Sequence, residues 1–152
     1  MLKKIGIGLL VVLVIIQFIR PAKNMSTTAA PNDIAAKYTV PANVYTTLQR
    51  ACFDCHSNNT NYPWYASIQP VAWWLQHHVN EGKEELNFNE FAGYTKKRKL
   101  HKLDEIKESV TEGSMPLNSY LWIHKEAKLT KDEASAIAAW ADALATQIST
   151  EN

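Results

Sequence analysis

Both cysteines of the chain lie three residues apart and are followed at once by a histidine, in Cys52-Phe53-Asp54-Cys55-His56. This spacing is the one used for covalent attachment of c-type haem. Two thiols so placed can bond to both vinyl groups of one porphyrin, and the adjacent imidazole is then held beneath the iron. The motif predicts one covalent haem c, with Cys52 and Cys55 as attachment sites and His56 as the proximal iron ligand.

Three other chemistries use the same residue types. A thioredoxin-type redox pair follows a strand and opens a helix, whereas a helical pattern precedes this motif and a polar loop, 58–61, follows it. Structural zinc needs four ligands, and one cysteine pair with one histidine lacks the usual second pair. A disulfide between cysteines three apart closes a very short loop and stabilises little. Covalent haem is therefore favoured over all three.

Met115 is the first candidate for the iron ligand opposite His56. It follows Gly113, which ends a predicted helix, and precedes Pro116, which stiffens the loop. Such a loop is suited to presenting a thioether, although a lone methionine more often packs into a core. The sequence predicts Met115 as the second axial ligand.

His78 is the alternative ligand, because it shares a predicted helix face with Val71 and Trp74 and can enter a haem pocket. An open sixth coordination site is the third possibility. Trp73 and Trp74 are candidate pocket residues, since an apolar wall lowers the dielectric around a haem edge, but aromatics at such spacings equally build a core. The remaining histidines have charged or polar neighbours and are predicted to be surface groups: His77, His101 and His124.

Helical periodicity recurs along the chain, and no segment alternates convincingly as a strand. Thr130 and Glu133 form a capping-box pattern at the start of the last helix. Pro70 is expected in the first turn of the second helix and Gly82 at its end. The helices are predicted over residues 43–52, 67–82, 88–94, 96–112 and 130–148. The predicted fold class is all-α, a small cytochrome c-like helical domain around one haem.

The N-terminus reads as a membrane-directed segment over residues 1–20. Fifteen residues, Ile5 to Ile19, carry no charge, and among them only Gln17 is polar. As a helix they rise about 22 Å, short of the hydrocarbon thickness of about 30 Å, which favours a cleaved signal. The run ends in Arg20 and a proline rather than in small residues, which favours an uncleaved anchor. We expect an anchor, with a cleaved signal, cut near 28–30, as the alternative.

Residues 21–42 contain three prolines and no sustained period, so they are predicted to be a tether, and 43–152 the haem-binding domain. The whole chain has 16 Lys and Arg against 15 Asp and Glu, a net charge of +1 that gives no reason to expect nucleic acid as a partner. Basic residues cluster between Lys96 and Lys102. This patch is either a solvated helix face or a docking surface for an acidic redox partner or anionic headgroups.

Several strings resemble a family of small haem-binding domains found in bacterial membrane-anchored c-type cytochromes. The resemblance covers about residues 33–145 and includes Cys-Phe-Asp-Cys-His-Ser-Asn, Tyr-Pro-Trp-Tyr, Pro-Val-Ala-Trp-Trp-Leu and Gly-Ser-Met-Pro-Leu. It implies haem binding, with Cys52, Cys55 and His56 carried over directly and Met115 as the second axial ligand. It implies no particular reaction.

These observations predict a single-haem cytochrome that passes electrons rather than an enzyme. Because c-type haem is attached outside the cytoplasm, the motif predicts that the domain faces the periplasm, held at the inner membrane by a single N-terminal helix or secreted after cleavage. The alternative functions are a haem-based sensor and a peroxidase with an exchangeable sixth ligand, in which His78 would act as the distal group.

Overall fold

The computed structural model describes residues 1–151, and every regular element within that range is helical, which confirms the all-α prediction. Three short 3-10 turns, at Trp64–Ser67, Phe91–Gly93 and Lys125–Ala127, connect the α-helices. The helices are α1 (Leu2–Ile16), α2 (Ile34–Lys37), α3 (Ala42–Ala51), α4 (Phe53–His56), α5 (Val71–Glu85), α6 (Lys96–Glu112), α7 (Asn118–Leu121) and α8 (Lys131–Thr150).

The core lies mainly between α6 and α8, which form the most extensive helix pair. Leu103 of α6 and Ile137 and Ile148 of α8 are almost fully buried, and Leu48 of α3 closes the same cluster. These positions fall on the apolar faces that helical spacing predicts. Gly113 ends α6 in the left-handed conformation, with φ at 72°, as expected for a glycine after a helix.

The second predicted helix differs from the structure at both ends. Of its first residues only Ser67 belongs to a helical turn, the 3-10 turn at Trp64–Ser67; residues 68–70 are not helical, and α5 starts only after Pro70. At the other end α5 continues through Gly82 to Glu85. Gly82 therefore does not end the helix. Its presence is explained by the close packing of α5 against α4.

The segment 21–42, predicted as a tether, packs against the domain over much of its length. Ile34 has no exposed surface and Tyr38 is buried within the core cluster. The side-chain amide of Asn24 donates to the Ser57 carbonyl and to Thr60 Oγ1, both at 2.9 Å. The irregular backbone hid these contacts, because they depend on single side chains and not on a repeating pattern.

Helix α1 makes no buried contact along its length. It ends at Ile16, after 15 residues, and no helix within residues 1–151 is long and apolar enough to cross a membrane. The prediction of a membrane-spanning anchor at 1–20 is therefore not supported by the structure.

The capping box at the start of α8 is confirmed, and it provides a pH-dependent contribution to stability. Glu133 accepts a hydrogen bond from the backbone N–H of Thr130 at 2.8 Å, and Arg50 forms an ion pair with it. These contacts, the backbone bond first, hold the pKa of Glu133 below its usual value of 4.5. A carboxylate whose pKa is lowered by folding stabilises the protein at pH values above its unfolded pKa. This contribution is lost as the pH falls through the folded pKa.

Glu133→Gln keeps a side-chain acceptor but removes the charge, so we expect a loss of about 0.5 kcal/mol in the free energy of unfolding at pH 7. In urea unfolding the difference from wild type should shrink as the pH falls below 4.5 and disappear once the pH is below the lowered folded pKa. Glu84→Gln, at the exposed end of α5, is the control and should not reduce stability at either pH. A Glu133→Gln deficit that is equal at both pH values would contradict this account.

Candidate functional site

The Cys-x-x-Cys-His motif occupies the junction between α3 and α4. Helix α3 ends at Ala51, and the single turn α4 is closed by a hydrogen bond from the His56 N–H to the Cys52 carbonyl at 2.9 Å. In a helical turn, residues three and four apart lie on the same face. Cys52, Cys55 and His56 consequently all line one cavity.

This cavity has a volume of about 340 Å³, within the range of small-molecule and cofactor sites. Met115 and His78, the two candidates for the second iron ligand, also line it. Its remaining wall comes from α5, α6, α7 with the loop that leads into it, and the segment before α8. The apolar and aromatic members of that wall are Val110, Pro116, Leu117, Tyr120 and Leu129.

A second cavity of about 390 Å³ shares Cys52, His56 and Met115 with the first, so the two are adjoining parts of one cleft. Buried apolar side chains, among them Phe88 and Ile106, line the second part. A flat, largely apolar group could occupy such a cleft with His56 and Met115 at its wall. We call the two cavities together the central cleft.

The two thiols are buried enough to remain protonated at neutral pH. Burial, helped by its neighbour Cys55, raises the pKa of Cys52 to about 12, and burial with the nearby Asp54 carboxylate raises that of Cys55 to about 11. Reactive redox thiols have a lowered pKa. This argues against a thioredoxin-type pair.

The zinc interpretation also lacks support. Within residues 1–151 no group of three or more His, Cys, Asp or Glu side chains is placed to hold a metal ion on its own.

The ring of His56 is oriented by a hydrogen bond to the backbone just after α5. Its Nδ1 lies 3.0 Å from the carbonyl oxygen of Leu86. A carbonyl only accepts, so Nδ1 carries the proton and Nε2 keeps its lone pair, as in histidines that bind metals. Burial is the main reason that the pKa of His56 lies below its usual value, which favours the neutral, ligating form.

Gly82 allows α5 to approach the motif. A Cβ atom at position 82 would lie 2.9 Å from the Cys55 carbonyl oxygen and 3.0 Å from Cys55 Cβ. Any side chain there would push α5 and α4 apart. Gly82 is thus a functional position that the sequence analysis took for a helix end.

Met115 and His78 reach the central cleft from different sides. Met115 is 37% exposed and lies in the turn after α6, with its N–H directed to the Ser109 carbonyl. His78 is half-buried on α5, its ring packs edge-on against Trp74 with centroids 4.6 Å apart, and its Nδ1 lies 3.5 Å from Glu81. Both predicted ligands are therefore brought to the same cavity.

Trp73 and Trp74 lie outside the lining of the cleft. Both are exposed, and the Trp73 indole N–H donates to the Ile19 carbonyl at 2.9 Å. The predicted aromatic wall comes instead from Phe88 and Tyr120.

The surface histidines divide into two groups. His77 and His101 are exposed, as predicted, and each pairs with a glutamate one turn further along its helix. His124 is half-buried: its ring stacks on Tyr120 at 4.2 Å, and its Nε2 lies 2.6 Å from the Tyr65 hydroxyl.

Tyr120 and Asp54 form a contact at the cleft that the sequence did not suggest. The Tyr120 hydroxyl donates to Asp54 Oδ2 at 2.7 Å. Burial, followed by this carboxylate, raises the pKa of Tyr120 far above its usual value, so the phenol stays protonated. The contact joins Asp54, one of the two residues between the cysteines, to α7. Helix α7 is a single turn, too short to show helical periodicity in the sequence.

The basic cluster at the start of α6 contains both buried and exposed side chains. Lys99 and Lys102 are each only 7% exposed. Lys99 Nζ lies 3.1 Å from the Tyr38 hydroxyl, while Lys102 Nζ contacts Glu85 at 3.0 Å and Glu105 at 2.7 Å. Because Lys102 lines the second part of the central cleft, it places a positive charge close to His56. The exposed charges of the cluster are Lys96, Lys97 and Arg98.

Comparison with known proteins gives one match. A family model described as a haem-binding domain matches residues 11–143. A search of curated proteins and a search of solved structures each gave no match. The matched range includes the central cleft and all residues placed around it.

Gly82→Ala should separate α5 from the motif. The forced contact is expected to cost about 1–3 kcal/mol, more than the roughly 1 kcal/mol that alanine gains over glycine in a helix. We expect a lower melting temperature and fewer bound haem groups per chain, measured by thermal unfolding and by haem absorbance.

Glu84→Ala is the matched control, since it changes an exposed residue of the same helix, and it should leave both measurements unchanged. A Gly82→Ala protein as stable as wild type would show that the close approach to Cys55 is not required.

Proposed function

We propose, since the chain belongs to the haem-binding domain family, that it is a single-haem c-type cytochrome that transfers single electrons on the periplasmic side of the membrane. One observation carries the proposal. Two thiols and an imidazole whose Nε2 is free to coordinate line the same cavity. When bound, the haem supplies an iron centre that changes oxidation state by one electron.

The residues of the motif have different roles in binding the haem. Cys52 and Cys55 would hold the porphyrin edge through covalent thioether bonds, the attachment that defines haem c. His56 would hold the iron through Nε2, while its Nδ1–H bond to Leu86 fixes the ring orientation. The buried apolar side chains of the cleft keep water from the iron and hold the surroundings at low dielectric.

In this proposal Met115 would hold the haem iron together with His56. It lines both parts of the central cleft, together with His56. Its position in a turn lets the thioether adjust without distorting a helix. Methionine and histidine together raise the reduction potential, so the protein would accept electrons readily from respiratory donors. The function requires no bond chemistry on a substrate.

The N-terminal segment, residues 1–20, directs the domain to the periplasmic side in this proposal. Its uncharged run and basic flanks support export through the inner membrane. The segment either stays on the chain as a single N-terminal membrane attachment or is removed to release a periplasmic protein. The exposed charges Lys96, Lys97 and Arg98 are then a docking patch for an acidic redox partner.

A sensor or peroxidase is the second candidate function. The specific observation in its favour is that His78 and Met115 line the same cavity, and Met115 is 37% exposed. In that function Met115 would not hold the iron, and His78 would serve in the cleft as a proton donor or acceptor. Such a protein would have a high-spin ferric spectrum and bind carbon monoxide rapidly.

Covalent attachment is tested with Cys52→Ala and Cys55→Ala in protein produced with the c-type maturation machinery. Each variant is expected to keep at most one thioether bond and to shift the pyridine haemochrome band to longer wavelength. The double variant should release all haem on acid–acetone extraction. Haem that stays bound in the double variant would contradict the attachment.

The sixth ligand is tested by the weak methionine-to-iron absorption band of the oxidised protein. Met115→Ala should abolish this band, because the thioether is lost, and give a high-spin or histidine-ligated spectrum. Met25→Ala, which removes an exposed methionine, and His78→Ala should keep the band. If the wild type lacks the band and Met115→Ala leaves the spectrum unchanged, His78 replaces Met115 in the proposal; a band that survives Met115→Ala would contradict the assignment of Met115.

A further inference from the structure

Helix α1 is joined to the domain by a set of hydrogen bonds just past its C-terminal end. Gln17 Oε1 accepts from the Gln69 N–H at 3.0 Å, and Gln17 Nε2 donates back to the Gln69 carbonyl at 3.3 Å. The Ile19 carbonyl accepts from Gln69 Nε2 and from the Trp73 indole N–H, both at 2.9 Å. The end of α1 is therefore fixed against the start of α5.

An apolar face surrounds this junction on both sides. Phe18 is 83% exposed and Ile19 57%, and on the domain side Ile68 is 44%, Val71 39% and Trp74 48% exposed. We call these five residues the proximal face. Exposed apolar residues scattered singly are ordinary, but a group placed around a fixed junction indicates an interaction surface.

The chemistry around the proximal face identifies its partner. Helix α1, which leads into it, consists almost entirely of apolar residues and buries none of them against the domain. Arg20 and Lys23 follow at once and are exposed, and no acidic residue precedes Asp33. A continuous apolar surface bordered by positive charge complements acyl chains bordered by anionic headgroups.

The positions of Trp73 and Trp74 also favour a phospholipid surface as the partner. Tryptophan is enriched at the interface between lipid and water, where its ring is apolar and its N–H is satisfied by a polar group. Trp73 already donates its N–H to the Ile19 carbonyl, and Trp74 presents an exposed ring one residue further along α5.

From these observations we infer that the proximal face rests in the interfacial layer of an anionic phospholipid bilayer, with α1 in contact with the lipid. The inference rests on the part of the proposed function in which residues 1–20 stay on the chain. It adds that the folded domain itself touches the lipid and does not swing on a flexible connection.

The orientation of α5 then sets the position of the central cleft. Val71 lies in the proximal face, and Gly82, 11 residues further along the same helix, lines the cleft. At 1.5 Å per residue these positions are about 16 Å apart along the helix axis. The part of the cleft lined by Gly82 therefore lies no more than about 16 Å along α5 from the residues placed at the lipid surface.

Lipid photo-crosslinking tests the inference. The full-length holoprotein is placed in vesicles of phosphatidylcholine and phosphatidylglycerol that contain a phosphatidylcholine with an acyl-chain diazirine. After irradiation, peptide mass spectrometry should find adducts in residues 68–74 as well as in α1. Vesicles of phosphatidylcholine alone should give several-fold fewer adducts at 68–74, because Arg20 and Lys23 lose their anionic partners.

Variants of the proximal face provide the second part of the crosslinking test. Ile68→Asn together with Val71→Asn should reduce adducts in 68–74 several-fold while leaving those in α1 and the haem spectrum unchanged. Trp122→Asn is the matched control: it removes a tryptophan that is 76% exposed outside the proximal face, and the labelling of 68–74 should stay the same.

Three results would overturn the inference: adducts confined to α1, adducts equally abundant around Trp122 and in 68–74, or an intact mass that lacks residues 1–20. A protein without covalent haem whose 68–74 segment is still labelled would instead contradict the proposed function and leave the proximal face in place. The two failures are therefore distinguishable.

Discussion

The contact between the His56 ring and the Leu86 carbonyl is the constraint on which the rest of the site depends. It selects the tautomer of the imidazole and leaves the lone pair on Nε2 of a residue that lines the central cleft. Two backbone bonds hold the same strip of chain: the Leu86 N–H donates to the Gly82 carbonyl, and the Phe88 N–H donates to the His56 carbonyl, both at 2.9 Å. The histidine is thus held through its ring and its backbone by the residues that follow α5.

This arrangement explains several features that look unrelated along the chain. Helix α5 must lie close to α4 for Leu86 to reach His56, and Gly82 removes the side chain that would prevent it. Phe88 is buried and stacks on Phe53 of the motif, with ring centroids 5.3 Å apart. The Phe88 carbonyl in turn accepts from the Ile34 N–H, which brings the N-terminal segment into the core.

The parts of the fold that the sequence predicted are those set by local chemistry. Helices α6 and α8 were foreseen because apolar spacing, Gly113 and the capping box with Thr130 act within a few residues. The all-α class follows from the same patterns. The candidate ligands His56 and Met115 were found from residue type and spacing, and both line the central cleft.

The features that sequence analysis missed depend on partners distant in the chain. Gly82 was predicted to be a helix end because its neighbours in the sequence give no sign of its contact with Cys55. A Cβ atom at position 82 would lie 3.0 Å from Cys55 Cβ. Lys102 looked like a surface charge, since its partner Glu85 belongs to another helix. In each case the deciding contact is a single pair of residues, and no periodic pattern records it.

The packing of residues 24–38 against the domain has a consequence for proteolytic maturation. Asn24 bonds to the Ser57 carbonyl and to Thr60, and the Ser26 N–H donates to the Asn58 carbonyl, all in the loop that follows His56. A signal peptidase that cut just after Arg20 would leave these bonds intact. A cut near 28–30 would remove them and leave the loop after His56 to its contacts within the domain, so the choice of processing site also decides how many bonds hold that loop.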